Sequence, residues 1–111
     1  MRKIRDSFIV CLLALALAAP AVLAAGGEYL MYVGTYTNAG KSQGIYAYRF
    51  QSSTGRITPI GLVAELPSPS FFTIHPNQRW LYAISEITRW EGQNNIGPVS
   101  AYAIDRQSGK L

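Results

Sequence analysis

The sequence predicts an all-β fold assembled from repeating antiparallel sheets, and three observations carry that reading. After Gly27 no stretch shows the 3.6-residue apolar period of an amphipathic helix. Short runs rich in Tyr, Ile, Val, Phe and Thr alternate instead with clusters of Gly, Pro, Asn and Ser, the pattern of strands and turns. A unit of strand, turn and following strand then recurs. Residues 44–57 lie over residues 98–111 at a shift of 54, so that Ala47, Tyr48 and Gly55 meet Ala101, Tyr102 and Gly109. Ile45, Phe50, Thr54, Arg56 and Ile57 meet the close substitutes Val99, Ile104, Ser108, Lys110 and Leu111. Upstream, residues 30–33 lie over 80–83 at a shift of 50, and the difference of four falls in the loop 86–97. A repeat near 50 residues made only of strands is the period of a β-propeller blade, a four-stranded antiparallel sheet stacked around an axis.

Taken in order, strands are expected at residues 29–37, 44–51, 56–65, 70–75, 80–85 and 99–105. Lettering the strands of a blade A to D from the axis outwards, residues 29–66 supply B, C and D of one blade. Residues 70–111 supply A, B and C of the next, with D only starting at Leu111. Three features support this order. The runs 30–33 and 80–84 are apolar without clean alternation, as middle strands covered on both faces should be. Pro59 falls in the proposed D strand, where an outer edge tolerates a residue with no N–H. Thr54-Gly55 and Ser108-Gly109 supply the small turn between C and D. Fewer than two blades are present, and the missing first A strand is expected from the far end of the ring. A blade hides its two faces only against its neighbours. Exposing about ten large apolar side chains would forfeit on the order of 1.5–3 kcal/mol each, more than the net stability of a small domain.

Residues 1–24 stand apart from this pattern. Arg2, Lys3 and Arg5 precede an unbroken apolar run, residues 8–19, which ends at Pro20 and is followed by small residues. These are the three parts of a secretory signal peptide, and Val22 and Ala24 place the cut after Ala24. As a helix the run would span only about 18 Å against a hydrocarbon core of roughly 30 Å, so no stable membrane anchor is expected. Cys11, the sole cysteine, lies in this segment, so residues 25–111 form no disulfide. Without the signal, seven basic and five acidic residues remain, a net charge of +2 with no Lys/Arg cluster suited to nucleic acid. The expected location is the periplasm or the exterior of a bacterium.

Blade geometry sorts the candidate chemistry. A–B and C–D turns share one end of the ring; B–C loops and D-to-A crossings share the other and converge on the axial pocket. His75, the sole histidine, falls in an A–B turn and reads as a residue that hydrogen-bonds that turn. The pocket end receives residues 35–41, 67–70 and 86–91. Glu86 follows directly from a middle strand, and a carboxylate there can activate water, bind a sugar hydroxyl or ligate a cation. Arg89 and Lys41 are the groups suited to hold an anionic part of a substrate. Gly-rich phosphate loops, Cys/His zinc spacing and a nucleophile elbow are missing from the sequence, so no metal or cofactor is expected.

Five motifs in order resemble one family: residues 32–37 (Tyr-Val-Gly-Thr-Tyr-Thr), 44–48 (Gly-Ile-Tyr-Ala-Tyr), 69–77 (Pro-Ser-Phe-Phe-Thr-Ile-His-Pro-Asn), 81–86 (Leu-Tyr-Ala-Ile-Ser-Glu) and 99–105 with 108–111. Together they are similar to the start of the lactonase family, seven-bladed propellers that include bacterial 6-phosphogluconolactonases and fungal carboxymuconate cyclases. The resemblance implies metal-free hydrolysis of a sugar lactone, in which a general base directs water at the ring carbonyl and basic residues steady the oxyanion. It implies catalytic His, Arg and Glu in later blades, none of them in these 111 residues, and a pocket-lining role for Glu86. The chain by itself is therefore expected to be inactive. The signal favours an unphosphorylated aldonolactone over a phosphorylated cytosolic one. The alternative is a non-catalytic propeller that serves as a binding or envelope scaffold.

Overall fold

A computed structural model describes residues 26–111; the expected signal, residues 1–24, lies outside the described residues. Eight strands follow in order: β1 (Glu28–Gly34), β2 (Gly44–Gln51), β3 (Arg56–Glu65), β4 (Phe72–Ile74), β5 (Trp80–Ile84), β6 (Arg89–Trp90), β7 (Gln93–Asn94) and β8 (Val99–Ala103). The described residues contain no helix, and the chain is all-β. β2 and β3 keep the bounds expected from the sequence. β1, β4, β5 and β8 are shorter than expected, because the chain leaves the ladder to enter loops at 35, 71, 85 and 104.

Two three-stranded antiparallel sheets result, ordered β1-β2-β3 and β4-β5-β8, with a separate hairpin β6-β7. β3 ends the first sheet, and there Pro59 opposes Tyr48 without leaving a ladder donor missing from a central strand. Two register shifts on the β2–β3 pair leave Ile60 and Val63 unopposed, bulges that bend the long strand. The turn that follows each third or second strand is the same structure twice. Gly55 N–H donates to Gln51 O at 2.8 Å and Gly109 N–H to Asp105 O at 2.7 Å, with φ of 71° and 78°. A left-handed residue is required at both places, which is why glycine matches glycine across the repeat.

The core lies between the two sheets. Ile45 and Leu81 are fully buried, with Ala47, Ala64, Leu66 and Ala83 around them. Tyr32, Val63, Phe72, Tyr102, Ile104 and Leu111 close the layer. Burying Ile45 or Leu81 contributes about 1.5–3 kcal/mol each.

Repeat-related residues point in one sense along the stack. Ala47 and Ile45 face the second sheet, while their equivalents Ala101 and Val99 face outward on its far flank beside Tyr82 and Ile84. Tyr102 packs back onto the first sheet, while Tyr48 points away from the core with Met31 opposite it. The sheets are therefore stacked head to tail, not face to face.

The runs 30–33 and 80–84, expected to be covered on both faces by neighbouring blades, are covered on one face within this chain. Leu81 and Ala83 are buried, but Trp80, Tyr82 and Ile84 on the alternate face are each more than a third exposed. No further sheet lies on that flank among the described residues. Phe71 and Val99 extend the same apolar flank, at 67% and 69% exposure.

Candidate functional site at the loop end of the sheets

Hydrogen bonds across the sheet boundary define two ends of the molecule. At one end Tyr32 donates its hydroxyl to Gly109 O at 3.0 Å. Arg49 bonds Gln107 O there while pairing with Glu28 at 2.8 Å. Burial and the nearby Asp105 carboxylate raise the Tyr32 phenol above its ordinary value. The His75 turn is a closed structural unit: His75 Nδ1 accepts from Asn77 N–H at 3.2 Å, and Asn77 Oδ1 accepts from Arg79 N–H at 2.9 Å. Its ring is occupied in holding the backbone, as the sequence reading expects.

The other end gathers the loop 35–43, the crossing 66–71 and the loop 85–98. Ser68 ties all three together. Its N–H donates to Thr37 Oγ1 at 3.0 Å, its hydroxyl donates to Asn38 Oδ1 at 3.3 Å, and its carbonyl accepts from Glu86 N–H at 3.0 Å. Ser68 is buried and adopts φ of 41°, a conformation that non-glycine residues hold only where the surroundings fix it. Gly34 shares in this constraint, since a Cβ there would collide with Pro69 O.

On this frame stand two residues that the repeat makes equivalent, Tyr36 and Glu86, fifty apart in sequence. The Tyr36 hydroxyl donates to Glu86 Oε2 at 2.9 Å, bridging one sheet's loop to the next. Hydrogen bonds from the Ser70 hydroxyl and from Tyr36 hold the Glu86 carboxyl below the ordinary glutamate value. The same bond and the negative charge of Glu86 raise the Tyr36 phenol. The pair is open to solvent and stays a carboxylate with a phenol donor at neutral pH. Next to it, Ser85 Oγ is buried with no protein partner.

Tyr36 is the residue that sequence reasoning missed as a member of the site. The signal was available, because the repeat that overlays 30–33 on 80–83 continues to place Tyr36 on Glu86. Lys41 and Arg89 lie in the same two loops, yet neither forms an ion pair or hydrogen bond with Glu86. Arg89 belongs to the hairpin β6-β7, where the sequence reading had only a loop. Its turn, Glu91-Gly92, has φ of 47° and 82°, the paired left-handed conformation that a two-residue hairpin requires. Trp90 and Ile96 are exposed beside it. No group of three or more His, Cys, Asp or Glu suited to a metal occurs among the described residues.

Antiparallel sheets of one design, stacked head to tail and tied by repeat-equivalent loops, define a β-propeller. The sequence profile described as "Lactonase, 7-bladed beta-propeller" matches residues 30–111. The chain belongs to this lactonase family. It is 37% identical over 84 residues to a 6-phosphogluconolactonase of Bacillus subtilis, covering 76% of this chain and 22% of that one. A 6-phosphogluconolactonase of Formosa agariphila is 27% identical over 81 residues, covering 73% of this chain and 22% of the relative. The solved structure of the periplasmic gluconolactonase of Pseudomonas aeruginosa superposes with a TM-score of 0.64 at 35% identity, covering 76% of this chain and 23% of that one. The chain spans about a fifth of the length of the curated relatives it matches.

Proposed function

We propose that the chain is part of an exported lactonase, in which it lines the substrate pocket and leaves the bond-breaking to other blades. Residues 29–66 act as strands B to D of one blade and 70–111 as A to C of the next. The loops around Ser68 then face the ring axis. In the reaction water adds to the lactone carbonyl, the ring C–O bond breaks, and a hydroxy acid leaves; a base must take the proton of water and a donor must protonate the departing ring oxygen. The observation that carries this reading is the Tyr36–Glu86 pair, a carboxylate held ionised at the inter-sheet loop end of a chain in the lactonase family.

Two further points support an exported enzyme acting on an uncharged aldonolactone. The first is the basic and apolar pattern of residues 1–24. The second is the 35% identity to a periplasmic gluconolactonase. In this reading Arg89 and Lys41 are the cations nearest the pocket rim, available to steer a carboxylate product outward.

The test is direct. The full-length protein should open gluconolactone faster than buffer does, and should be recovered from a periplasmic or culture fraction with an N-terminus at Ala25. A lactonase reading does not survive if neither gluconolactone nor its 6-phosphate is opened faster than the uncatalysed rate. A soluble, folded protein with that outcome would instead be a binding scaffold.

A further inference from the structure

The pair that bridges the two sheets carries a statement about substrate class. From it we infer that Tyr36 is a positioning residue, which holds Glu86 as an anionic acceptor for the hydroxyl groups of an uncharged polyol ring. The inference rests on the lactonase reading for its chemistry of substrate, but its geometry stands independently.

Glu86 leaves β5 at a fixed point, because its own N–H is bound to Ser68 O and the preceding Ser85 N–H to Pro98 O. Its side chain is pinned in turn. Tyr36 donates to Oε2 and the Ser70 hydroxyl also bonds the carboxylate, which stays exposed and keeps lone pairs that a ligand hydroxyl can reach. A phenol is a rigid donor with few torsions, so it fixes the carboxylate at little entropic cost, whereas a free Glu would sample many rotamers. Tyr36 comes from the neighbouring repeat, so the acceptor is aimed only when the two sheets are stacked. An ionised carboxylate that cannot turn away accepts hydroxyl hydrogen bonds well. It also places a negative charge where a phosphate would have to approach, and like charges disfavour that ligand. Neither Lys41 nor Arg89 forms an ion pair that would neutralise Glu86. At the Glu86 contact itself, that charge favours a neutral hydroxyl over a phosphate oxygen.

The experiment uses the full-length protein and its Y36F and E86Q variants. Titration calorimetry measures binding of the uncharged ring lactam analogue of gluconolactone and of 6-phosphogluconate, beside lactone hydrolysis kinetics. Loss of one hydrogen bond predicts that Y36F weakens lactam binding about 3–10-fold and raises KM for gluconolactone by a similar factor. E86Q weakens the lactam similarly but tightens 6-phosphogluconate, so the two ligands move in opposite directions. A merely structural role would move both ligands together. The inference is overturned if either variant changes both by the same factor, if neither changes, or if the wild-type protein binds neither ligand. Should the wild type hydrolyse no lactone while Y36F still weakens the lactam selectively, the lactonase reading falls and the assignment of Tyr36 stands.

Discussion

Glu86 and Tyr36 illustrate how a single hydrogen bond sets two titrations. The carboxyl is held low by Ser70 first and Tyr36 second. Replacing Tyr36 by Phe should therefore raise the Glu86 pKa part of the way back to the ordinary glutamate value, as read by NMR of the labelled carboxyl; no change would mean that the bond is not formed in solution. Asp105 works in the same way at the other end. The Ser108 hydroxyl, then the N–H groups of Ser108 and Gln107, hold its carboxyl below the ordinary aspartate value. A depressed folded pKa gives stabilisation that is complete above the ordinary carboxylate value and is lost as pH falls through the folded one. The protection factors of the Gln107 and Ser108 amides, taken against the intrinsic exchange rate at each pH, should fall on such acidification. In D105A protection should be low at every pH, and in D105N retained and independent of the carboxyl titration. In the core, Leu81 has no exposed surface, and L81A should cost about 2–5 kcal/mol in denaturant unfolding of the full-length protein.

Among the elements, the hairpin β6-β7 differs most from the sequence reading, which places a plain loop there. Two-residue strands are too short to show alternation, and the signal that was present, Glu91-Gly92, is less distinctive than Asn-Gly. The close strand packing of β6 and β7 is with one another. Replacing 88–95 by a short glycine linker should thus change global stability by no more than about 1 kcal/mol, since loop-closure entropy varies slowly with length. Thermal melting checks this; a large fall in Tm would show that the hairpin braces the sheets. β3, by contrast, was legible to the residue, because Pro59 marks an edge and the Thr-Gly turn marks its start. β4 is short at its start because Ser70 N–H turns back to Ser68 O in the crossing, while Phe71 O still accepts from Ile84 N–H of β5.

At the scale of the whole molecule the exposed flanks dominate. Thirteen large apolar side chains are more than a third exposed among the described residues, and eight of them form two flanks: Trp80, Tyr82, Ile84 and Val99 on one, Tyr29, Val33, Ile57 and Leu62 on the other. At 36–69% exposure each forgoes roughly half of the ~1.5–3 kcal/mol that full burial supplies, and together they match the net stability of about 5–15 kcal/mol of an ordinary domain. The two flanks repeat the chemistry of the faces that pack in the core, so further sheets of the same design would cover them. Residues 25–111 expressed alone should aggregate or bind a hydrophobic dye without a cooperative melting transition. Adding successive repeats should bring a sharp transition; a cooperative melt of the monomeric 25–111 segment would contradict the head-to-tail account.

Sequence by itself determined the all-β character, the positions of six of the eight strands, the repeat and the family, because alternation, turn residues and a 50-residue period are local or periodic and need no third dimension. It also placed Glu86 at the end of its strand. Only the tertiary structure decided that Tyr36 is its partner, that Lys41 and Arg89 do not pair with it, and that Ser68 fastens three loops. Those contacts join residues 18 to 50 positions apart, and their geometry depends on how far one sheet is rotated and shifted against the next, a quantity that no stretch of either repeat encodes alone.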